Sequence, residues 1–345
     1  MMPGWARSRF LPIWIATLLL FLVSAIVAPG TTTESSLQGM VPFAAILAVA
    51  AAGQTLVIQQ RGLDLSLPGM ISLSTVLMTK IPAGDNDKLL LALVITILAA
   101  VVAGAVNGVV VTRLGITPLV ATLGVNALLV GTVLYLTSGT STMASPAALS
   151  SFALARTLGI PNTALIAIVL LAVIALVIRF TIPGRRFVAV GANPIAAHAA
   201  GIPVARYLMA TYIVAAITYA LAGLLLTGFL GIPGPLPGDN YLLPSIAAVV
   251  LGGTSLAGGA GSVVATGVGA LFLTQLGLVV RALGAPQSVQ LILQGVIIAV
   301  GMGLRLVPWQ RVRASLRPGR GSTPSDAPPV PPSIGTRPAS EGGSP

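Results

Sequence analysis

The sequence has 345 residues, of which 55% are hydrophobic and 7% are charged, and its formal net charge is +11. A soluble domain usually has about 25% charged residues, so this composition excludes an ordinary soluble globular protein and indicates a membrane protein. With no cysteine and one histidine, the chain offers neither a thiolate nor the ligands of a clustered metal site.

Uncharged segments of spanning length recur along the chain, since a membrane span needs about 20 residues. They predict an all-α, polytopic membrane protein of about ten transmembrane helices with both termini in the cytoplasm. The predicted helices are 10–29, 39–60, 67–82, 89–112, 116–137, 162–180, 204–229, 241–257, 262–283 and 287–307. The first of them also fits a cleaved signal peptide, but its length favours a retained helix. Ser138–Ile160 is interpreted as either an amphipathic piece on the membrane surface or a connecting loop.

The positive-inside rule gives the orientation. With the N-terminus inside, the cytoplasmic side is strongly basic and the outer side is roughly balanced in charge. Because the arginines lie at helix ends, they fit topology and contact with anionic lipid, and no nucleic-acid partner is expected. Residues 314–345 are rich in Pro, Gly and Ser, which predicts a disordered cytoplasmic tail after a transmembrane domain of residues 1–313.

Glycine and proline interrupt the apolar pattern at two places, Gly62–Gly69 and Leu251–Gly261. Interruptions at corresponding places in two halves indicate an inverted repeat of helices 2–5 and 7–10 around a transport path. Glycines that let helices approach closely in lipid explain the same pattern equally well. The glycines assigned a structural role are Gly62, Gly252, Gly253, Gly258, Gly259 and Gly261.

Asp64 stands just before the predicted third helix. If Ser66 is the N-cap, Pro68 takes the second helical position, and Asp64 lies beside a positive helix end and three residues after Arg61. Both neighbours favour the carboxylate. We interpret Asp64 mainly as a structural anchor near the cytoplasmic boundary, with a role at the inner end of a solute path as the alternative.

The cytoplasmic loop of residues 182–203 encodes a short helix. Asn193 is a good N-cap, Pro194 suits the first helical position, and Gly201 ends the segment, which predicts a helix over Pro194–Ala200. Two turns with an Ile and Ala face are too short to be stable alone in water. The face must pack against this protein's own loops or dock into another subunit, and the short inner loops favour docking.

Three motifs make the sequence resemble a known family: GLDLS at 62–66, GRRFVAVGANPIAAHAAGI at 184–202 and IAAVVLGGTSLAGGAGS at 246–262. The chain resembles the permease subunit of ribose-type ABC importers, binding-protein-dependent systems that take up monosaccharides. The similarity extends over residues 39–307. It implies a homodimeric or heterodimeric permease pair, a cytosolic ABC ATPase and a periplasmic or lipid-anchored sugar-binding protein.

The family also implies a coupling helix with the pattern Asn-x-Glu-Ala-Ala-Arg-x-Ser/Ala-Gly. Ile195 replaces the glutamate and His198 the arginine, so an apolar contact with the ATPase is expected instead of ion pairs. The residues that the resemblance assigns to ATPase coupling are Gly184, Arg185, Gly191, Asn193, Pro194, Ile195, Ala196, Ala197, His198, Ala200 and Gly201.

The expected function is transport by alternating access, in the bacterial cytoplasmic (inner) membrane, of a monosaccharide such as ribose. A nucleoside cargo is the runner-up, and an ion-coupled carrier is disfavoured because the third to tenth helices place no acid at mid-membrane. The chain has no Gly-x-x-x-x-Gly-Lys-Ser/Thr loop, so it is not expected to be an enzyme or to bind a cofactor, and ATP and Mg belong to the partner ATPase. Candidate pathway residues are Gln54, Asp64, Ser66, Asn107, Asn126, Thr254 and Gln294. For each one alone, hydrogen bonding between helices is the commoner explanation.

Overall fold

Thirteen α-helices make up most of the computed structural model, which describes residues 10–140 and 143–306. They are α1 (Leu11–Val27), α2 (Glu34–Gln59), α3 (Leu67–Lys80), α4 (Leu89–Thr112), α5 (Pro118–Thr137), α6 (Ala147–Leu154), α7 (Asn162–Phe180), α8 (Ile182–Ala192), α9 (Pro194–Ala199), α10 (Val204–Leu230), α11 (Leu242–Leu251), α12 (Val263–Ala282) and α13 (Gln287–Leu306). The predicted tail of residues 314–345 lies outside the described residues, as does the end of the 1–313 domain.

An all-helical, polytopic membrane protein is confirmed. Six helices are long and apolar enough to cross a bilayer, namely α2, α4, α5, α7, α10 and α12, while α1 and α13 contribute shorter apolar stretches. Each of the ten predicted segments contains a helix. However, α3 has 14 residues and α11 has 10, which is short of the length that a full crossing needs.

The structure differs from the predicted helices at two places. The eighth predicted helix, 241–257, ends at Leu251 because the chain turns through Gly253, whose φ is +88°. The stretch 138–160 contains the helix α6, which favours the amphipathic interpretation over a plain loop: Leu149 and Ala153 are buried against α10. Two strands of two residues each, β1 (Arg156–Thr157) and β2 (Ile160–Pro161), pair antiparallel and are a small departure from the all-α class.

The helix α2 lies at the centre of the molecule. It packs against α7, α10, α11 and α12, and residues 44–60 are buried throughout. A second core forms where α10 packs on α3 and α4. Small residues permit these close packings, since a Cβ at Gly53 would lie 2.1 Å from Thr218 Oγ1 and one at Gly104 would lie 2.6 Å from the Tyr212 carbonyl oxygen.

Side chains on the outside of the bundle are strongly apolar. The helices α4, α5 and α7 each have less than a third of their apolar window buried, and they expose Leu, Val and Ile over their length. In water such a surface would aggregate, whereas lipid accommodates it. The exposed apolar faces therefore agree with a bilayer as the solvent.

Candidate functional site

The predicted short helix is present as α9. Asn193 caps it, and its Oδ1 accepts hydrogen bonds from the backbone N–H groups of Ile195 and Ala196, each at 3.1 Å. Gly201 follows with φ +78°, as a C-terminal glycine should. The sequence signals for the start and end of this helix are confirmed, and the end lies one residue earlier than predicted.

One face of α9 is uncovered. Ile195 is 83% exposed, and Ala196, His198 and Ala200 are also exposed, whereas Ala197 is 4% exposed and packs inward. Within residues 10–140 and 143–306, the chain's own loops do not cover Ile195. In this part of the chain, α9 packs against its own protein through Ala197 and not through Ile195.

Not every predicted docking residue is accessible. Gly184, Gly191 and Ala197 are buried, because Gly184 lies against α7, Gly191 lies against Gln59, and Ala197 is the inward position of α9. The accessible members are Arg185, Asn193, Ile195, Ala196, His198, Ala200 and Gly201, together with the half-buried Pro194. The sequence also missed α8, which precedes α9 and begins at the cap formed by Thr181 Oγ1 and the Gly184 N–H.

The corner between α8 and α9 is fastened to the end of α2. Arg61 Nε donates to the Gly191 carbonyl oxygen at 2.9 Å, and Arg61 Nη2 donates to the Ala192 carbonyl oxygen. Gln60 Nε2 donates to the Phe187 carbonyl oxygen at 2.8 Å. The side chain of Arg61 thus binds the corner between α8 and α9.

The glycine-rich segment of residues 252–261 meets the same place. The Gly259 N–H donates to the Gln59 carbonyl oxygen at 2.8 Å, and Gly258 lies against the Arg61 side chain. We call the meeting of residues 59–61, 187–192 and 258–261 the junction. It brings together the residues just before the first glycine-interrupted motif, the end of the second motif and the loop that carries α9, which are far apart in the sequence.

Close contacts between the chain segments at the junction require glycine. A Cβ at Gly191 would lie 2.2 Å from the Gln59 carbonyl oxygen, and one at Gly261 would lie 2.2 Å from Gln59 Nε2. Gly258 and Gly259 adopt φ of +85° and +73°, which favour glycine. Elsewhere, Gly62 packs against Tyr212 and Gly252 against Thr266, so close packing accounts for these two as well.

Replacing Gly191 by alanine is expected to destabilise the protein by about 1–3 kcal/mol, because the new methyl group has to displace backbone rather than a side chain. Thermal unfolding of the purified protein in detergent measures the effect. Gly124→Ala on α5 is the matched control, since a Cβ there meets nothing within 4 Å. Equal melting temperatures for the two variants would contradict the tight contact at the junction.

A buried polar cluster begins three residues after Arg61. Asp64 is 0% exposed, and its Oδ1 accepts from the Ser66 N–H at 2.9 Å and from Ser66 Oγ at 2.6 Å. Asn107 Nδ2 donates to Ser66 Oγ at 2.9 Å. Ser66 and Pro68 hold the predicted N-cap and second positions of α3, but the Ser66 hydroxyl binds Asp64 instead of capping the helix. Asp64 is therefore completely enclosed by protein.

Tyr219 of α10 extends the cluster to α2. Its hydroxyl donates to Gln54 Oε1 at 3.0 Å, and it also lies beside Asp64. Gln54 Nε2 and Asn107 Oδ1 are buried without a hydrogen-bond partner among the described residues. Such atoms cost about 1–3 kcal/mol when unpaired, so this cluster retains hydrogen-bonding capacity for water or a solute.

The structure separates the other pathway candidates. Asn126 Oδ1 accepts from the Gly69 N–H at 2.9 Å and so ties α5 to the start of α3, which is a structural role. Thr254 is buried just after α11, and Gln294 lies on α13 away from Asp64. The sequence reading omitted Tyr212 and Tyr219, although polar rings seven residues apart on one helix share a face.

A cavity of about 800 Å³ lies around the other end of α2. Phe43 and Leu47 of α2 line it, and Phe43 is 16 residues from Gln59, which corresponds to about 24 Å of helix. The polar residues that line it are Asp239, Asn240, Tyr241, Thr274, Arg281, Gln287, Gln290 and Gln294. The sequence reading selected only Gln294 from this set, although Gln287, Gln290 and Gln294 recur at helical spacing.

Known proteins resemble the chain over most of its length. The profile of the family described as branched-chain amino acid transport system / permease component matches residues 36–301. Ribose import permease protein RbsC of Bacillus subtilis (strain 168) is 31% identical over 84% of this chain and 90% of that protein. RbsC of Escherichia coli (strain K12) is 31% identical over 84% of this chain and 91% of its own length.

A second group of relatives consists of permeases of autoinducer 2 import systems. Autoinducer 2 import system permease protein LsrC of Enterobacter sp. (strain 638) is 30% identical over 78% of each chain. No solved structure matches the chain.

Proposed function

Because the chain belongs to the branched-chain amino acid transport system / permease component family, we propose that it is the membrane-spanning subunit of an ATP-driven importer of a neutral monosaccharide. It is the permease component of an ABC transporter, a multi-pass protein of the bacterial inner membrane, and not itself catalytic. The resemblance carried by the three motifs is thereby confirmed.

The observation that carries the mechanism is the link between α9 and the polar cluster. The exposed face of α9 offers Ile195 to a cytosolic ATPase, and the junction connects α9 to Gln59 and Arg61 at the end of α2. Asp64 follows three residues later. A displacement of α9 by the ATPase would therefore act directly on the segment that holds the buried polar cluster.

The partners follow from the family in general terms, since its permeases work with an ATPase and a binding protein. In our proposal this chain pairs with a second permease subunit, either a copy of itself or a homologue. ATP and Mg are bound and used by the ATPase, and a periplasmic or lipid-anchored protein delivers the sugar. Residues 1–313 form the permease domain and the later residues a cytoplasmic tail.

The topology in this proposal has ten membrane segments with both termini inside. An inverted repeat of α2–α5 and α10–α13 is supported by the two short helices, because α3 and α11 hold the second place in each half. Both are flanked by a glycine-interrupted motif. Half-length helices beside irregular backbone are typical of transport sites near the middle of a membrane.

A sugar fits the interior better than a charged cargo does. Gln54, Ser66, Asn107 and Tyr219 are neutral groups that both donate and accept hydrogen bonds, as hydroxyl groups do. Asp64 already binds Ser66. The ribose import permeases among the relatives point in the same direction, and autoinducer 2 is the cargo named for the others.

Vesicles that contain this chain, its ATPase and its binding protein are expected to take up labelled ribose only when ATP is supplied on the side of the membrane that carries the ATPase. The uptake should be insensitive to proton and sodium gradients. A vesicle lacking the ATPase is the control. Uptake that persists without ATP and follows an ion gradient would contradict the importer proposal.

A further inference from the structure

The cavity at the Phe43 end of α2 is lined by three glutamine side chains from one helix. Gln287, Gln290 and Gln294 lie at i, i+3 and i+7 on α13, so they share one face. Along this face Gln287 is exposed, Gln290 is half-buried and Gln294 is 2% exposed. The three glutamines therefore extend from the open mouth of the cavity into the protein.

The innermost amide has an unmet hydrogen bond. Gln294 Oε1 is buried and has no hydrogen-bond partner among the described residues, although it lines a cavity. An unpaired buried amide oxygen costs about 1–3 kcal/mol, which a bound water or a ligand hydroxyl group would recover. The volume of about 800 Å³ lies in the range of small-molecule sites, about 300–1,000 Å³.

The middle amide is held in place by its surroundings. A Cβ at Gly277 would lie 2.6 Å from Gln290 Nε2, so the missing side chain at Gly277 makes room for this amide. Arg281 Nη1 is 3.5 Å from Gln290 Oε1. Gln290 is thereby directed along the wall of the cavity rather than out into solvent.

The charges of the cavity stand at its mouth. Asp239 and Arg281 are both exposed, whereas the deeper polar groups are the neutral Gln290, Gln294 and Thr274. A neutral amide group both donates and accepts hydrogen bonds, which suits the hydroxyl groups of a sugar. A charged ligand would find no group of opposite charge deeper in the cavity than the mouth, so its charge would be buried without a partner. The apolar side chains of the walls offer contact to the C–H face of a sugar ring.

We propose that this cavity is a binding site for a neutral polyhydroxylated molecule of monosaccharide size, held through its hydroxyl groups by Gln290 and Gln294. The inference deepens the proposed function, on which it rests, by giving the cargo a receiving site at the end of α2 opposite the junction. The site is complete within one chain and needs neither ATP nor the ATPase to bind.

The test uses the absence of cysteine from the native chain. In Thr274→Cys, which places the thiol at another position of the cavity lining, a water-soluble charged thiosulfonate reagent is expected to label the thiol in membrane vesicles without ATPase. Ribose should slow the labelling, by about tenfold at ten times the half-protecting concentration, as simple occupancy requires. Ile292→Cys, on the outward face of α13, is the control and should stay unlabelled.

Leucine is the second ligand tested, because it has a similar size but carries two charges. Protection by ribose and not by leucine supports the proposal. No labelling of the thiol, labelling that ribose leaves unchanged, or equal protection by leucine would each overturn it. If Thr274→Cys does not accumulate, Leu291→Cys takes its place in the same measurement, since Leu291 also lines the cavity. None of these results depends on the energy source, so ATP-independent uptake would refute the importer and leave this site standing.

Discussion

Replacing Ile195 by aspartate should abolish ATP-driven uptake by detaching the ATPase. The side chain is 83% exposed on a face that otherwise consists of Ala196, His198 and Ala200, so a carboxylate there has to be desolvated in any apolar groove. Loss of a central apolar contact costs about 2 kcal/mol or more, which weakens binding about 30-fold. Co-purification of the ATPase with the permease measures the effect.

Ile195→Leu is the matched control for this substitution and should retain both binding and uptake. Because Ile195 contacts little of its own protein, the melting temperature of Ile195→Asp should stay close to that of the native chain. Full uptake by Ile195→Asp would contradict the docking role of α9. Ala197 would be a poor choice for such a test, because it is buried and a charge there would disturb the packing of α9 itself.

Replacing Arg61 by methionine should uncouple ATP hydrolysis from transport. The variant keeps the aliphatic stem but loses the two hydrogen bonds to the carbonyl oxygens of Gly191 and Ala192. Hydrogen bonds from a charged donor are worth about 1.5–3 kcal/mol each, so uptake should fall by about 30-fold or more. The ATPase should remain bound and continue to hydrolyse ATP, because the exposed face of α9 is unchanged.

The backbone makes methionine a fair replacement. Arg61 has φ +64°, a conformation that disfavours every residue with a β-carbon, so the strain is the same before and after the change. Arg113→Met, at an exposed position after α4, is the control for loss of one positive charge. A proportional fall of hydrolysis and uptake, or no fall in uptake, would count against a transmitting role of Arg61.

The sequence predicted those parts of the fold that depend on local pattern. Apolar runs located the ten helices, and Asn193, Pro194 and Gly201 defined α9, because capping acts within a few residues. It failed for α8, in which Pro183, Gly184 and Gly191 are poor helix formers. That helix is stabilised by contacts with distant residues such as Gln60.

The candidate site was only partly predictable for the same reason. The sequence singles out Gln54 and Asn107 as polar residues in apolar helices, and Asp64 and Ser66 separately as residues just before α3. The structure brings all four together with Tyr219. The sequence places Arg61 three residues before Asp64, but the hydrogen bonds of the Arg61 side chain go to Gly191 and Ala192. These carbonyl oxygens lie about 130 residues away, and no periodicity in the sequence reveals them.

The course of α2 has a mechanical consequence. From Pro42 to Gln59 it contains no second proline, so this segment tilts as one stiff rod, with the weak point beside Pro42 at its far end. A displacement of Gln59 would then be transmitted along this segment to Phe43 and Leu47, which line the cavity. Movement of the ATPase at one face of the bilayer would then control the opening of the cavity at the other face.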